Sequence, residues 1–417
     1  MMKDLPVYLA SRLPLRSRTR GGTTGVVVAV TGIALSVIVM LISISVMHGF
    51  RNEIRSKIIG FDSQITVAPR PTQYDTEAPT LTLAEMEDVI SSLPDGATAT
   101  LTARQPAIVK TPDNFSGVIV KGVDTGYDWS FIRSNLVEGT VPDFSADSTL
   151  YDIVLSRTLA DNLGLSLGDK VDTYFLGNST YRTRRLKIAG IYDTHFAEYD
   201  KNVVFATLPM IRRVGNIDPS RGALLEINGL GSDDDISFHS GQISAMLMDR
   251  IYAGDNDRSY IVVDIMESAA LYFNWLALLD TNVAVILTLM AILASLTLVS
   301  SLFILVLRRV GTIGILKALG ASNRLVRQTF VLLTLKLLAI GLAAGNAVAL
   351  GLIFIQKTTG IVPLDPEAYY LDHVPVEISW TSVAILNGAT ALIAFCVLLL
   401  PSAIIATIKP ARVINYE

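Results

Sequence analysis

GGTTGVVVAVTGIALSVIVMLISISVMHGF, residues 21–50, runs for thirty positions without an Asp, Glu, Lys or Arg. A helix rises about 1.5 Å per residue and the hydrocarbon core of a bilayer is about 30 Å thick, so roughly 20 such residues are enough to cross it. Three more apolar stretches crowd the last third of the 417-residue chain. Segments 281–307 and 378–408 carry no charged side chain, and 328–357 holds only Lys336 before Lys357. The chain therefore reads as a membrane protein with four transmembrane α-helices and a large α+β extracytoplasmic domain inserted between helices 1 and 2. The expected order is a cytoplasmic segment 1–20, a first span 21–48, the inserted domain 49–275 with helical stalks at both ends, and a second span 276–307. A cytoplasmic loop 308–327, a third span 328–356, an outer loop 357–378, a fourth span 379–407 and a cytoplasmic tail 408–417 follow.

Charge assigns the sides. Lys3, Arg12, Arg16, Arg18, Arg20, Arg308, Arg309, Lys317, Arg324, Arg327, Lys409 and Arg412 face only Asp4 and Glu417 in the segments before the first span, between the second and third, and after the fourth. The interval 49–279 has 20 basic and 31 acidic residues. The excess of Lys and Arg on cytoplasmic loops then puts both termini and 308–327 in the cytoplasm and the inserted domain outside. The first stretch is about twice the apolar length of a signal peptide and no A-x-A-like site follows it, so it is expected to remain as a span. The single cysteine, Cys396, lies in the fourth span. A disulfide framework within the chain is excluded.

The interval reads as mixed α and β. Thr82 and Glu85 form a capping box ahead of Leu83, Met86, Ile90 and Leu93. Strands are expected at 64–67, 107–109 and 118–121, and a helix at 156–163. A hairpin follows, 170–176 with 181–191, turning after Gly168-Asp169, then strands at 202–206 and 223–227, a helix at 236–251 and a strand at 260–265. Phe50, Ile54 and Ile58 fall on one helical face with Gly60 as its expected stop, and Met266, Ala269, Phe273, Leu276 and Ala277 repeat at helical spacing into the second span. These are read either as stalks or as interfacial ends of the spans.

No phosphate-cradling G-x-x-x-x-G-K-[ST] occurs, so this chain is not expected to bind the nucleotide itself. His48, His195, His239 and His373 are scattered, and only His195 beside Asp193 and Asp200 forms a cluster; no H-E-x-x-H or cysteine pair completes a metal site. Neither a catalytic residue nor a metal site is expected. Dispersed basic residues give no support for nucleic-acid binding and are explained by the anionic leaflet. In Arg308-Arg309-Val310-Gly311-Thr312-Ile313-Gly314-Ile315-Leu316-Lys317-Ala318-Leu319-Gly320, residues Ile313, Leu316 and Leu319 recur about one turn apart and Gly320 ends the helix. Such an apolar stripe either lies in a partner's groove or rests on the membrane surface.

This segment resembles the coupling loop of four-span permeases with FtsX-like or MacB-like topology, in which an external ATPase grips the helix. Val46-Met47-His48-Gly49-Phe50-Arg51 is similar to the S-V-M-N-G-F exit of the first span in LolC/LolE-type lipoprotein-releasing permeases. Residues 153–169, 189–200, 370–380 and the terminal 410–417 resemble further parts of that family, so the resemblance covers nearly the whole chain. It implies a permease subunit that couples ATP hydrolysis by a separate, LolD-like ATPase to release of lipoproteins from the outer leaflet of the bacterial inner membrane. It further implies ATP and Mg on the ATPase and no cofactor here, a second permease subunit (a copy or a paralogue), a lipoprotein cargo and a periplasmic carrier. Arg308, Arg309, Ile313, Leu316, Lys317, Leu319 and Gly320 would couple to the ATPase. Ile44, Met47, Phe50, Asn274, Leu278 and Asn282 would line a lipid cavity between paired subunits. Two departures stand out. Thr312 replaces the usual acidic residue of the coupling loop, and the hairpin between Phe175 and Leu186 lacks the proline of the carrier-binding hook. The same topology would also serve a MacB-like efflux or mechanotransmission subunit, or an FtsX-like subunit signalling to a periplasmic enzyme. The first group commonly carries a fused ATPase and the second a much smaller outer domain.

Overall fold

The computed structural model describes residues 8, 20–73, 75, 78–143, 147–177, 181–254 and 258–402. Most of the expected segment 1–20, the end of the fourth span beyond 402 and the tail 408–417 lie outside the described residues. The chain divides into two compact units. Asn52–Trp275 with Leu364–Asp372 form the inserted domain, and the remaining residues form the unit of apolar helices.

Helix α1, Arg20–Phe61, passes from one unit into the other. In the inserted domain it is followed by β1 Ile65–Pro69, α2 Glu87–Ser91, β2 Thr98–Lys110, β3 Phe115–Val123, α3 Ser130–Ser134, β4 Leu136–Gly139, β5 Asp152–Ser156, α4 Arg157–Leu163, β6 Lys170–Leu176, β7 Tyr181–Tyr192, α5 Ala197–Asp200, β8 Val203–Thr207, α6 Leu208–Gly215, β9 Leu224–Asn228, α7 Asp233–Ala253 and β10 Tyr260–Asp264. Strands β10-β1-β9-β2 are antiparallel neighbours, with α2 between β1 and β2 and α7 between β9 and β10. That is a split βαββαβ arrangement of ferredoxin-like order. The long β2 belongs to two structures at once. Its first residues pair with β9, and from Ala107 onward the same edge pairs with β6. Pairings β2–β3, β3–β8, β8–β5, β5–β7, β7–β6 and β6–β2 close a ring of six strands. Closure removes the exposed edges that an open sheet would leave.

Where β2 changes partner, the interior is polar. Glu226 is wholly buried and lies 2.8 Å from Lys121 Nζ and 3.0 Å from Arg104, which also meets Asp62 at 2.7 Å. Lys121 donates to the Phe61 carbonyl and Tyr199 to Asp62, so this knot receives the end of α1. Burial alone would raise the Glu226 carboxyl; Lys121 and Arg104 outweigh it and hold the group below its ordinary range.

Several local expectations need correction. Gly60 does not stop α1, which runs on to Phe61; its missing side chain leaves room for the Phe131 ring. The 266–277 run is not one helix. Asp264 accepts from the Glu267 N–H to cap a short turn, α8 Ile265–Ser268, Ala269 leaves helical geometry, and α9 Ala270–Arg308 starts afresh. The outer loop is divided too, because 364–372 packs in the inserted domain. The Thr82–Glu85 box forms reciprocally, at 3.1 and 3.2 Å.

The apolar unit contains the membrane part of α1, α9 from Leu276, α10 Val310–Ala318, α11 Asn323–Thr359 and α13 Trp380–Ser402; α12, Pro366–Tyr369, lies in the 364–372 segment. Among the described residues four helices, α1, α9, α11 and α13, are long and apolar enough to cross a membrane. Without a strong hydrophobic force between helices in lipid, close approach at small residues holds such bundles. Gly341 and Gly345 of α11 lie against Ile33 and Val37 of α1, where a Cβ would come within 2.8 Å of either side chain. Gly32 of α1 receives Thr297 of α9. Asn346 of α11 and Asn387 of α13 exchange amide hydrogen bonds at 2.7 and 3.0 Å. Thr288, Ser295, Thr297, Thr329 and Thr334 return their hydroxyls to the carbonyl four residues back, so they leave no donor in the apolar layer.

Candidate lipid cavity and coupling segment

A cavity of about 520 Å³ opens between α1, α9 and α13. Its walls are Met40, Ile44 and Met47 from α1, Val283, Ala284 and Leu287 from α9, and Ile385, Leu386, Ala389 and Ile393 from α13. Spacings of three and four residues, with one adjacent pair each on α9 and α13, keep each set on one helical face. Polar groups collect at the end where α1 approaches the inserted domain in sequence. His48 Nε2 lies 3.0 Å from Ser382 Oγ, and Arg51 pairs with Asp280 at 3.1 Å. Gly49 admits the 374–377 segment. A Cβ there would stand 2.5 Å from the Pro375 carbonyl, and the Glu377 N–H donates to the Ser45 carbonyl at 3.0 Å. The result is an apolar slot, about 12 Å deep along α1 from His48 to Met40 at 1.5 Å per residue, with polar groups at one end. That is the polarity of an amphiphile with a single fatty chain.

The six cavity residues expected from sequence do not share this site. Ile44 and Met47 line it; Phe50, Asn274, Leu278 and Asn282 do not. Phe50 is buried elsewhere, whereas Leu278 is 64% exposed and Asn274 and Asn282 are exposed as well. At 100° per residue these three α9 positions fall nearly opposite Asp280, Ala284, Leu287 and Ala291. They continue as an exposed apolar stripe through Val285, Leu289, Ile292 and Leu296. The wall supplied by α13 was not expected. Its signal in the sequence is the run Ser382, Ile385, Ala389, Ile393 at helical spacing; Asp280 at the edge of an uncharged run marks the polar end.

The 309–322 segment forms α10, closed by Gly320 at φ +89°, with Gly320 N–H and Ala321 N–H returned to the Lys317 and Leu316 carbonyls. Ser322 then caps α11. The stripe expected from sequence is not presented as a unit. Ile313 is fully buried in the cluster that contains Leu302, Val306, Val326 and Phe330. Leu319 is 80% and Ile315 61% exposed, and Leu316 and Thr312 are half-buried beside them. The exposed apolar face of α10 is therefore Ile315 and Leu319, four residues apart, with Leu316 and Thr312 on its flank. Arg308 is exposed; Arg309 and Lys317 are half-buried.

The family of MacB-like periplasmic core domains matches residues 26–228, and that of FtsX-like permease C-terminal domains matches 284–410. The chain therefore resembles an FtsX-like permease that carries a MacB-like core domain. The permease is also 24% identical, over the whole of both chains, to the lipoprotein-releasing system transmembrane protein LolC of Xylella fastidiosa strain Temecula1 and to that of Neisseria meningitidis serogroup B. The periplasmic region of MacB from Actinobacillus actinomycetemcomitans aligns with 50% of the permease and 91% of its own length, at 12% identity and TM-score 0.34.

In the permease, the His195 cluster is resolved into two separate roles. His195 Nδ1 lies 3.4 Å from Asp193, while Asp200 is buried and accepts from Thr194 Oγ1 at 2.7 Å. Among the described residues no group of three or more His, Cys, Asp or Glu could hold a metal ion. The hairpin expected at 170–191 is β6–β7, in register from Lys170–Lys187 to Leu176–Tyr181, with 178–180 outside the described residues.

Proposed function

We propose that this permease is the membrane subunit of a bacterial ABC complex that releases lipoproteins from the outer leaflet of the inner membrane. The observation that carries the reading is the end-to-end match with LolC proteins of two species, inserted domain and spans alike. In this reading the inserted domain is periplasmic, and the termini and α10 are cytoplasmic, which the charge asymmetry supports. A separate ATPase binds ATP and Mg and grips the Ile315–Leu319 face. A second permease subunit, a copy or a paralogue, completes the complex, and a periplasmic carrier receives the cargo.

The physical problem is the acyl chain. Each CH₂ moved from lipid into water costs about 0.8 kcal/mol, so full extraction of a lipid anchor would cost tens of kcal/mol. The chains therefore pass between apolar sites. The slot bounded by Met40, Ile44 and Met47 takes a chain, and His48, Asp280 and Ser382 at its polar end face the glyceryl and peptide part. In this reading the chain holds the lipid and moves, and the chemistry belongs to the separate ATPase. The test places a photocrosslinking amino acid at Met47 and at Leu278. Met47 should capture a lipidated protein, and capture should fall when ATP and the cognate ATPase are supplied. Capture of bulk phospholipid alone, insensitive to ATP, would sink the reading in favour of signalling or efflux.

A further inference from the structure

The inserted domain contains a junction that neither the slot nor α10 uses. Lys57, near the end of α1, is 6% exposed, and its Nζ donates to the carbonyl of Thr194 at 2.6 Å and to that of Tyr370 at 3.1 Å. Thr194 lies in the turn between β7 and α5; Tyr370 belongs to the 364–372 segment. The Phe196 ring lies beside both, with Tyr199, Tyr272 and Tyr370 around it at centroid separations of 4.9, 5.2 and 5.2 Å, and Tyr272 meets Tyr370 at 5.4 Å. Tyr272 is in the first turn of α9. Tyr370 is held at φ +61°, a left-handed backbone that is unfavourable for a non-glycine residue and persists only where its surroundings over-determine it. Here its ring and its carbonyl are both engaged. Glu53 from α1, Asp193 from the β7–α5 turn, Asp200 from the end of α5, and Asp372 from the 364–372 segment supply the negative charge around the ammonium.

The segments that meet here are α1, the start of α9, and 364–372. They are also the stretches of chain that join the inserted domain covalently to the apolar unit. We infer that Lys57 is the positioning residue of a single junction that ties these connections together, so that displacement of any one of them reaches the inserted domain at one point. A leucine at 57 would satisfy the apolar neighbours Ile54 and Ile58, but it would strand the buried Thr194 carbonyl and the part-buried carbonyl of Tyr370. The ammonium and the Tyr370 ring together fix 364–372 to the domain.

The test uses the full-length permease with its cognate ATPase in nanodiscs, comparing Lys57→Met, Lys57→Arg and Tyr370→Gly with the parent. Its transport arm rests on the lipoprotein-release reading; its exchange arm does not. In Lys57→Met, amide hydrogen exchange of peptides covering 364–372 should rise at least tenfold while β2 and β3 stay protected, and Lys57→Arg should restore most of that protection. ATP hydrolysis should stay within twofold of the parent, and lipoprotein released per ATP should fall at least fivefold. Unchanged exchange at 364–372 in Lys57→Met overturns the junction whatever transport does. Raised exchange with unchanged release per ATP overturns its role in transmission. If Lys57→Met loosens the whole domain, Tyr370→Gly decides, since it keeps the carbonyl and removes the ring. Loosening confined to 364–372 then supports the junction, and none overturns it. A parent complex that releases no lipoprotein, with the exchange pattern intact, would sink the lipoprotein reading and leave the junction standing.

Discussion

Ile313 and Leu319 are both apolar and six residues apart, yet substituting them has different consequences. Leu319→Asp or Ile315→Asp puts a carboxylate on the exposed face of α10, and should abolish co-purification of the ATPase while leaving the permease's own melting temperature unchanged. Ile313→Asp buries an unpaired carboxylate in the helix core at a cost of several kcal/mol, so the permease itself should melt earlier. Co-purification after Leu319→Asp would show that this face is not the contact. Asp200 gives a residue-scale prediction with a definite sign. Burial, with Asp193 adding, pushes its carboxyl up to about 6 against the hydrogen bonds from Thr194. The folded state therefore holds the proton more tightly than the unfolded one, and the contribution is full below about pH 4 and lost as the pH rises through 6. Between those limits Asp200 alone costs on the order of 3 kcal/mol. Asp200→Asn should therefore gain thermal stability relative to the parent progressively from pH 4 to 7; a pH-independent difference would sink this assignment.

At the scale of elements, the α11 contacts can be separated by substitution. Gly345→Leu drives a side chain into Val37 and the Ala34 carbonyl and should lower the melting temperature, whereas the site of Gly351→Leu is open. The useful comparison is the temperature: Gly345→Leu low, Gly351→Leu near the parent. Asn346→Leu strands the Asn387 amide and should cost about 1–2 kcal/mol, whereas the double change to leucine should recover most of it. Equal loss in the single and double variants would argue that the amide pair is not the source. Helix existence in these stretches was legible from length and apolarity, but the contacts were not. Gly60 looked like a helix stop because glycine ends helices; here Phe131, distant in sequence, needs the space. The 266–277 run looked continuous because its apolar spacing continues through Ala269, while the capping geometry of Asp264 breaks it.

For the whole molecule, charge asymmetry makes the orientation testable. With Cys396 replaced by alanine, cysteine introduced at Asp113 of the inserted domain should react with a membrane-impermeant thiol reagent in intact spheroplasts, and cysteine at Asn323 should react only after lysis. Both positions are exposed, so reversed labelling would overturn the orientation. Sequence alone was enough to show that four helices can span a bilayer, that one large α+β domain is inserted after the first, and where α10 ends. Those properties follow from composition and spacing along a single segment, because hydrophobic length and helix caps are local. Which face of each helix lines the slot emerged only from the packing. Leu278 and Asn282 share α9 with Leu287, but they sit across the helix from it, and α13 supplies the third wall of the slot. The packing likewise decided that 364–372 belongs with the inserted domain, where Lys57 binds carbonyls contributed by residues 137 and 313 positions away. Such pairings depend on how distant segments pack, and no local periodicity encodes them.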